Sequence, residues 1–376
     1  MCLGGRLRSV GMMVQQIARR DASVDVIRIL AIVAVVAGHV WFGPAARLAT
    51  YTWQVPVFFV LSGYLGTTSP GPLGAFVRRR ARSLLLPYAA WLLIIGLLLG
   101  TIRQPLRLLE GGAGMPHGFT AFWFVTAFFV ALVAAAVIER MPLAAQWAIA
   151  LALVVAGWLA GPAIALVPLS AGIGSTCVVF VVAGRTLRRV RDLLPRPALT
   201  GVVMLVVAVG LVLSGASAPL DLKQGDFGTP VVSVVTALLI SCGLILVARR
   251  AFANLGERAG SVVSRLALCG FAVVLTHAAV LYGMHKLGAA SWIAFAVAIV
   301  VPWALAMVLL RTPLAPVLCG VPRGVPRSAG GGGDAHLEAH ARDAGEARPH
   351  DLDRLGVLVD EHEAPAERRG DRARRA

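Results

Sequence analysis

The sequence contains little charge, and very little of it is negative. Only 14% of its 376 residues are charged, and 19 Asp plus Glu stand against 35 Lys plus Arg. Soluble domains carry about 25% charged residues, and 58% of this chain is apolar. The composition therefore excludes a water-soluble globule with a single core. The formal charge of +16 does not indicate nucleic-acid binding, because the basic residues lie between apolar runs and not on an amphipathic surface.

Cysteine is also scarce. Of the five cysteines, no two have the spacing of metal ligands, and Cys177, Cys242 and Cys269 lie inside apolar runs. We interpret these as small buried side chains without disulfide bonds. The sequence predicts neither a metal site nor a resident cofactor.

Long apolar runs dominate the chain and indicate a polytopic membrane protein. A hydrocarbon core of about 30 Å requires roughly 20 apolar helical residues. This rule predicts an all-α membrane bundle of about ten transmembrane helices, at 24–43, 51–68, 83–102, 119–138, 143–160, 165–184, 199–215, 229–248, 263–283 and 291–310. The first run is too long for a signal core and lacks a small-residue cleavage site, so we interpret it as a permanent span.

The distribution of Lys and Arg predicts the orientation of these spans. Alternate connecting segments hold 21 basic residues on one side and five on the other, namely Arg47, Arg103, Arg107, Lys223 and Lys286. Because basic loops remain in the cytoplasm, both termini are predicted to be cytoplasmic. Residues 1–22 then form a cytoplasmic segment, 23–311 the membrane domain, and 312–376 a disordered cytoplasmic tail that is largely Gly-rich and polar.

Few ionisable residues lie within the predicted spans, where burial makes them costly and usually functional. They are Arg28, His39 and His277. No Asp or Glu lies deep in a span, which argues against a proton pump that uses a carboxylate relay. We also find no internal repeat and no pair of interrupted helices of the kind that many transporters contain.

Arg28 and His39 share one stripe of the first span. Eleven helical residues bring His39 to within about 20° of Arg28 and roughly 16 Å further along the axis. Asp25, one turn before Arg28, can pair with it. The stripe suits a long ligand with anionic groups at one end and a reactive group near the other. The alternative is that Arg28 anchors the helix and His39 bonds a neighbouring backbone.

A cluster of four arginines opens the third span, within Phe76-Val-Arg-Arg-Arg-Ala-Arg-Ser-Leu-Leu-Leu-Pro-Tyr88. Arg79 and Arg82 are one turn apart and can grip the same phosphate. The cluster also sets topology, and that role alone would account for its charge. Trp123, at the start of the fourth span, is either a substrate contact or part of an interfacial aromatic belt.

Several segments together carry a resemblance to a known family. They are the Arg28-x10-His39 spacing, Pro56-Val-Phe-Phe-Val-Leu-Ser-Gly-Tyr64, the arginine segment with its Leu-Pro-Tyr88, Trp123-Phe-Val, and the late Ser264…Leu275-Thr-His277. In this order they resemble the membrane acyltransferase family three. Its members O-acylate surface polysaccharides, peptidoglycan, lipids and antibiotic sugars. Some members carry an appended extracytoplasmic esterase-like domain, and we expect none here, which leaves the acceptor open.

The resemblance implies a reaction. A cytoplasmic acyl-CoA, usually acetyl-CoA, would serve as co-substrate, with its phosphates on Arg79, Arg82 and Arg28 and its pantetheine arm reaching toward His39. Neutral imidazole is suited to general-base catalysis, so His39 would take the proton from an acceptor hydroxyl. His277, predicted at nearly the same depth, is a second catalytic candidate that could bracket the reacting carbonyl, or it makes a structural interhelical hydrogen bond.

Other assignments stay open at this level. Ser62, Tyr64 and Trp123 complete the predicted substrate-binding set, and Ser62 or Tyr64 is a guess for the group that orients His39. The acceptor would be a glycan, a lipid-linked sugar or a small hydroxylated molecule, and the protein would lie among the lipids of a bacterial-type plasma membrane. The alternatives are a transporter or flippase of an anionic substrate, and a non-catalytic scaffold that binds lipid head groups through its arginines.

Overall fold

The chain folds into α-helices connected by turns. The structure, a computed structural model, describes residues 21–66, 71–101 and 115–321. Within these ranges no β-strand forms, and an isolated bridge joins Asp221 to Asp226. The prediction of an all-α protein is confirmed for this part of the chain.

Thirteen α-helices lie within the described ranges. They are α1 (Ala22–Val40), α2 (Pro44–Thr50), α3 (Pro56–Tyr64), α4 (Leu73–Leu98), α5 (Phe122–Ile138), α6 (Leu143–Ala160), α7 (Ala171–Thr176), α8 (Val178–Val190), α9 (Pro197–Leu213), α10 (Val232–Ala251), α11 (Glu257–Lys286), α12 (Ser291–Leu309) and α13 (Ala315–Leu318).

Six of the described elements are long and apolar enough to cross a membrane. They are Ala22–Val40, Leu73–Leu98, Leu143–Leu166, Val232–Ala251, Glu257–Lys286 and Ser291–Leu309. Pro168–Thr176 and Val178–Leu193 add a seventh if the two are one span, bent by 43°. The pattern of apolar residues did not predict this interruption. The chain is thus a multi-pass membrane protein by the length and composition of its helices.

The other predicted spans coincide with shorter helices. Phe122–Ile138 and Pro197–Leu213 are apolar and have 17 residues each. The second predicted span, 51–68, contains the nine residues of α3, Pro56–Tyr64, preceded by turns. A nine-residue helix rises only about 13 Å, which is less than half of a hydrocarbon core.

Helix α1 begins at a strong capping signal. The Asp21 carboxylate accepts a hydrogen bond from the backbone N–H of Ser23 at 3.0 Å, and Asp25 adds a second negative charge in the first turn. Both carboxylates favour the positive end of the helix dipole. These residues fix where α1 starts, and therefore the depth at which Arg28 and His39 lie.

Helix α3 crosses α8 at a point where both helices use glycine. A methyl group on Gly63 would overlap the backbone carbonyl of Val181, and one on Gly184 would overlap that of Val60. The two backbones therefore approach closely, as small residues permit in membrane bundles. This crossing holds the short helix α3 in the core although it lacks the length of a span.

At each end of the bundle, one ion pair joins two segments that the charge pattern assigned to the same side. Arg47, after α1, pairs with Asp221, after α9, at 3.2 Å. At the opposite end, Arg249, at the end of α10, lies 3.6 Å from Asp21 at the start of α1. We call these the Arg47 end and the Arg28 end. In these two cases, segments predicted on the same side are neighbours in the fold.

The predicted tail begins too early. Residues 312–321 belong to the helical bundle, where the Trp91 indole N–H donates to the carbonyl of Leu318 at 2.9 Å. Two prolines interrupt this short segment, so its sequence did not indicate a place in the bundle, and a tertiary contact reveals it. The rest of the predicted tail, 322–376, and residues 1–20 of the predicted N-terminal segment lie outside the described residues.

The close crossing of α3 and α8 predicts a penalty for a single methyl group. Gly63→Ala should lower the thermal unfolding temperature of the detergent-solubilised protein, since overpacking costs about 1–3 kcal/mol. Gly210→Ala, a change in α9 where a methyl group meets nothing within 4 Å, is the matched control and should be neutral or stabilising. Equal unfolding temperatures for both variants would contradict the described crossing.

Candidate active site

Two histidines from different helices meet inside the bundle. His39 lies in the last turn of α1, and His277 lies in α11, where it is fully buried. His39 Nδ1 is 2.9 Å from His277 Nε2, and the two ring planes are inclined by only 11°. The predicted common depth is thus observed. The two rings do not bracket a substrate carbonyl, because the nitrogens that face each other are already within hydrogen-bond distance.

The hydrogen bonds assign the protons of this pair. His277 Nδ1 lies 3.0 Å from the carbonyl oxygen of Val273, which can only accept, so this nitrogen carries a proton. In a neutral imidazole the other nitrogen then accepts. His277 Nε2 therefore accepts from His39 Nδ1–H, and the lone pair of His39 is left on Nε2.

The guess that Ser62 or Tyr64 orients His39 is therefore wrong, since His277 supplies that contact. The Ser62 hydroxyl donates instead to the carbonyl of Phe59 at 2.7 Å. The sequence could not reveal this partner, because a histidine that bonds another histidine has the same sequence surroundings as any other buried histidine. The spacing of His277 predicted only that it would reach the same level of the bundle.

A second polar contact joins the same two helices near their beginnings. Arg28 donates to Asp25 at 2.7 Å, as predicted, and the Ser264 hydroxyl donates to the other oxygen of Asp25 at 2.9 Å. Asp25 is only 1% exposed. The pairs Asp25–Ser264 and His39–His277 are about 20 Å apart along both helices. Helices α1 and α11 therefore run parallel and in a fixed register.

Three cavities follow one another from the Arg28 end to the Arg47 end. The first, which we call the Arg80 cavity, has Arg28 and Arg80 in its wall. The second, the His39 chamber, is lined by His39 and Trp123. The third, the Tyr282 cavity, again includes His39.

Neighbouring cavities share parts of their walls. Phe58, Phe124 and Val274 line both the Arg80 cavity and the His39 chamber. The Phe58 and Phe124 rings, with centroids 5.4 Å apart, form an aromatic partition between these two spaces. His39 thus lies on the far side of this partition from the Arg80 cavity and lines the chamber and the Tyr282 cavity. The chamber and the Tyr282 cavity share four residues, His39, Tyr51, Asp221 and Lys223.

The arginine cluster contributes a different residue to this path from those predicted. Arg80 lines the cavity beside Arg28, whereas Arg79 and Arg82 are exposed. The reason is helix phase: Arg80 is four residues from each of two buried side chains of α4, Phe76 and Leu84, so it shares their face. The spacing of Phe76 and Leu84 is visible in the sequence, and it would have predicted that Arg80 is the arginine that faces the interior of the bundle.

The remaining predicted residues divide into two groups. Trp123 is 5% exposed and lines the His39 chamber, so it is not part of an interfacial belt. Ser62 lines the Arg80 cavity. Tyr64 lines none of the three cavities, and its hydroxyl accepts hydrogen bonds from Arg191 and, at 2.8 Å, from Arg249.

The sequence did not predict that two charged residues lie close to His39 on the side of the Arg47 end. Asp221 and Lys223 lie in the loop between α9 and α10 and line the two cavities that contain His39. Burial raises the pKa of the Asp221 carboxyl, and the Arg47 guanidinium opposes that shift. Burial likewise lowers the pKa of the Lys223 ammonium. Lys223 was counted only as a loop charge, since nothing in the sequence shows that its loop folds over His39.

Comparison with known proteins identifies a family. A family model of acyltransferase family 3, described as an acyltransferase domain, matches residues 21–311, which is well over half of the chain. The matched range starts at the cap of α1 and ends just after α12, so it contains both histidines and nearly all residues that line the three cavities. Neither the curated proteins nor the solved structures match the chain.

Proposed function

The chain belongs to acyltransferase family 3, and on that premise we propose that it moves an acyl group from cytoplasmic acyl-CoA to a hydroxyl of an extracytoplasmic acceptor. The family supports the activity of a membrane acyltransferase. The identities of the acyl donor, the acceptor and the catalytic residues are what we propose here. The observation that carries it is the position of His39, which lines two cavities toward the Arg47 end and is divided from the Arg80 cavity by the aromatic partition alone.

The proposal orients the Arg28 end toward the cytoplasm and includes ten membrane crossings, one of which would be made by α3 together with the turns at 51–55 that precede it. Basic residues concentrate in the segments assigned to the Arg28 end, as cytoplasmic loops require. The parallel course of α1 and α11 supports this arrangement, because helices that cross in the same direction are separated by an odd number of crossings. Ten spans place seven crossings between them.

Acyl-CoA would bind with its anionic part in the Arg80 cavity. Arg28 and Arg80 present two guanidinium groups there, and guanidinium is well matched to phosphate. The exposed Arg79 and Arg82 would flank the entrance without lining it. From Arg28 to His39 the helix rises roughly 16 Å, and a thin pantetheine arm would cover this distance past the aromatic partition. This donor is a co-substrate, and the reaction needs no resident cofactor.

His39 would act as the general base through Nε2. This nitrogen takes the proton of the acceptor hydroxyl while the oxygen attacks the thioester carbonyl. The carbon–sulfur bond then breaks, and the departing thiolate receives the proton from His39. His277 would be a positioning residue, because its bond to Nδ1 keeps the lone pair of His39 on Nε2, where substrate can reach it.

The acceptor would enter through the Tyr282 cavity at the Arg47 end. Its wall combines aromatic rings with polar groups that can hold a hydroxylated molecule, among them Tyr51, Tyr282, Asp221 and Gln224. A surface glycan, a lipid-linked sugar or a small secreted molecule fits this description. The enzyme would reside in a bacterial-type plasma membrane, acyl-CoA reaching it from one side and the alcohol from the other.

A transporter or flippase is the second candidate, since a series of cavities across a bundle also suits a permeation path, and the 43° bend between α7 and α8 supplies an interrupted span. This candidate requires no thioester and gives His39 no chemical task. Consumption of acyl-CoA in the absence of net substrate movement distinguishes the two.

Loss of the base should abolish transfer. In membranes of the producing cell supplied with acetyl-CoA labelled in its acetyl group, His39→Ala should lower acetyl transfer by at least about 10²-fold, the usual contribution of a general base. His340→Ala, in the C-terminal segment, is a histidine control, and equal amounts of folded protein are verified by gel filtration. Transfer by His39→Ala at the control rate would end the proposal.

The donor site should depend on Arg80 more than on its neighbours. Arg80→Gln should raise KM for acetyl-CoA by about 10- to 100-fold with little change in kcat, because a charge-assisted hydrogen bond contributes about 1.5–3 kcal/mol. Arg79→Gln and Arg82→Gln change the same charge in the same helix and should raise KM far less. Equal effects of all three substitutions would indicate a general surface charge instead of a built site.

A further inference from the structure

A fourth cavity, which we call the Arg250 cavity, lies apart from the path to His39. It is lined by residues where α8 ends, α9 begins and α10 ends. It shares no lining residue with the Arg80 cavity. The proposed acyl transfer gives its positive charge no role. Four arginines form most of its polar wall, Arg191, Arg196, Arg249 and Arg250, with Asp192 as its carboxylate.

Tyr64 holds two of these arginines in place. Its side chain is 3% exposed, and its hydroxyl accepts hydrogen bonds from Arg191 and, at 2.8 Å, from Arg249. The Arg191 guanidinium also lies over the Tyr64 ring, 5.2 Å from its centroid. Two cations therefore converge on one neutral oxygen. Such an arrangement fixes their positions without neutralising their charge.

The carboxylates near the cavity do not balance its arginines. Asp192 pairs with Arg191 at 3.3 Å, and Asp21 lies 3.6 Å from Arg249. Within the described residues, the other two arginines of the wall have no ion pair. Four guanidinium groups thus face two carboxylates, and the cavity suits an anion with several oxygens.

The apolar part of the wall indicates what kind of anion fits. Leu199 and Leu246 contribute to the lining, and Leu199 begins a face of α9 that is exposed to the surroundings of the bundle. Val203 and Val206 on α9 are 53% and 65% exposed. In a membrane this face contacts lipid, so a ligand in the cavity can place its charge on the arginines and its chains along α9.

We propose that the Arg250 cavity binds the phosphate head group of an anionic phospholipid. Arg249 pairs with Asp21 at the cap of α1, so the cavity lies at the Arg28 end of the bundle. Basic pockets between helices at a membrane surface are suited to such head groups. A free phosphate would use the arginines equally but would leave the contact with α9 unused. This site does not depend on the proposed acyl transfer.

Retention of phospholipid by the purified full-length protein tests this site. The protein is mixed in detergent with phosphatidylglycerol or phosphatidylcholine, and bound lipids are counted by native mass spectrometry. The variant is Arg196→Gln with Arg250→Gln, which breaks no described ion pair. The matched control is Arg258→Gln with Arg265→Gln, two exposed arginines of α11 near the same end.

We expect the wild type and the control to retain phosphatidylglycerol in preference to phosphatidylcholine, and the variant to lose about tenfold or more of that binding, as expected for two arginines near a head group. Equal retention by the variant, or an equal loss in the control, would overturn the site. Binding of inorganic phosphate that requires Arg196 and Arg250, without retention of phosphatidylglycerol, would identify a free-anion site and overturn the lipid assignment.

Discussion

The structure depends on how two imidazoles are accommodated inside an apolar bundle. A buried polar group without a partner costs several kcal/mol in such surroundings, and here each ring nitrogen of His277 is bonded. The carbonyl of Val273 fixes one proton, and that proton fixes the acceptor for His39. The result is a directional chain from backbone to His277 to His39 that leaves Nε2 of His39 unprotonated, and His39 lines two of the cavities. The need to pair the buried nitrogens of His277 thus determines which ring nitrogen of His39 carries the proton.

This chain requires α1 and α11 to keep their register. The contact between Asp25 and Ser264 supplies the second fixed point, and Arg28 is bonded to the same carboxylate. A slip of one residue on either helix would rotate a histidine by 100° and remove it from its partner. The residues at the Arg28 end therefore support the geometry at His39 as well as presenting charge to a cavity. In the proposed reaction, separate cavities on either side of His39 let the two substrates approach without sharing a route.

Much of this arrangement follows from helix geometry and was open to prediction. The rise and angle per residue placed Arg28 and His39 on one stripe, and the same rise placed His277 at the depth of His39. Contacts between elements distant in sequence could not be predicted, because no local pattern encodes them. They are the partner of His39, the loop of Asp221 and Lys223 over the chamber, and the packing of residues 312–321 against α4. Arg80 is different, since the apolar period of α4 already pointed to it in the sequence.

The central claim concerns the position of a proton on His39, and nitrogen NMR observes it directly. Full-length protein labelled with ¹⁵N-histidine in lipid nanodiscs, compared with a His39→Gln sample to assign the ring, should show His39 with a protonated Nδ1 and an unprotonated Nε2 near neutral pH. In His277→Ala, which removes the acceptor of the Nδ1–H bond, we expect the His39 proton to be shared between Nδ1 and Nε2. A His39 that carries its proton on Nε2 in the wild-type protein would contradict the account.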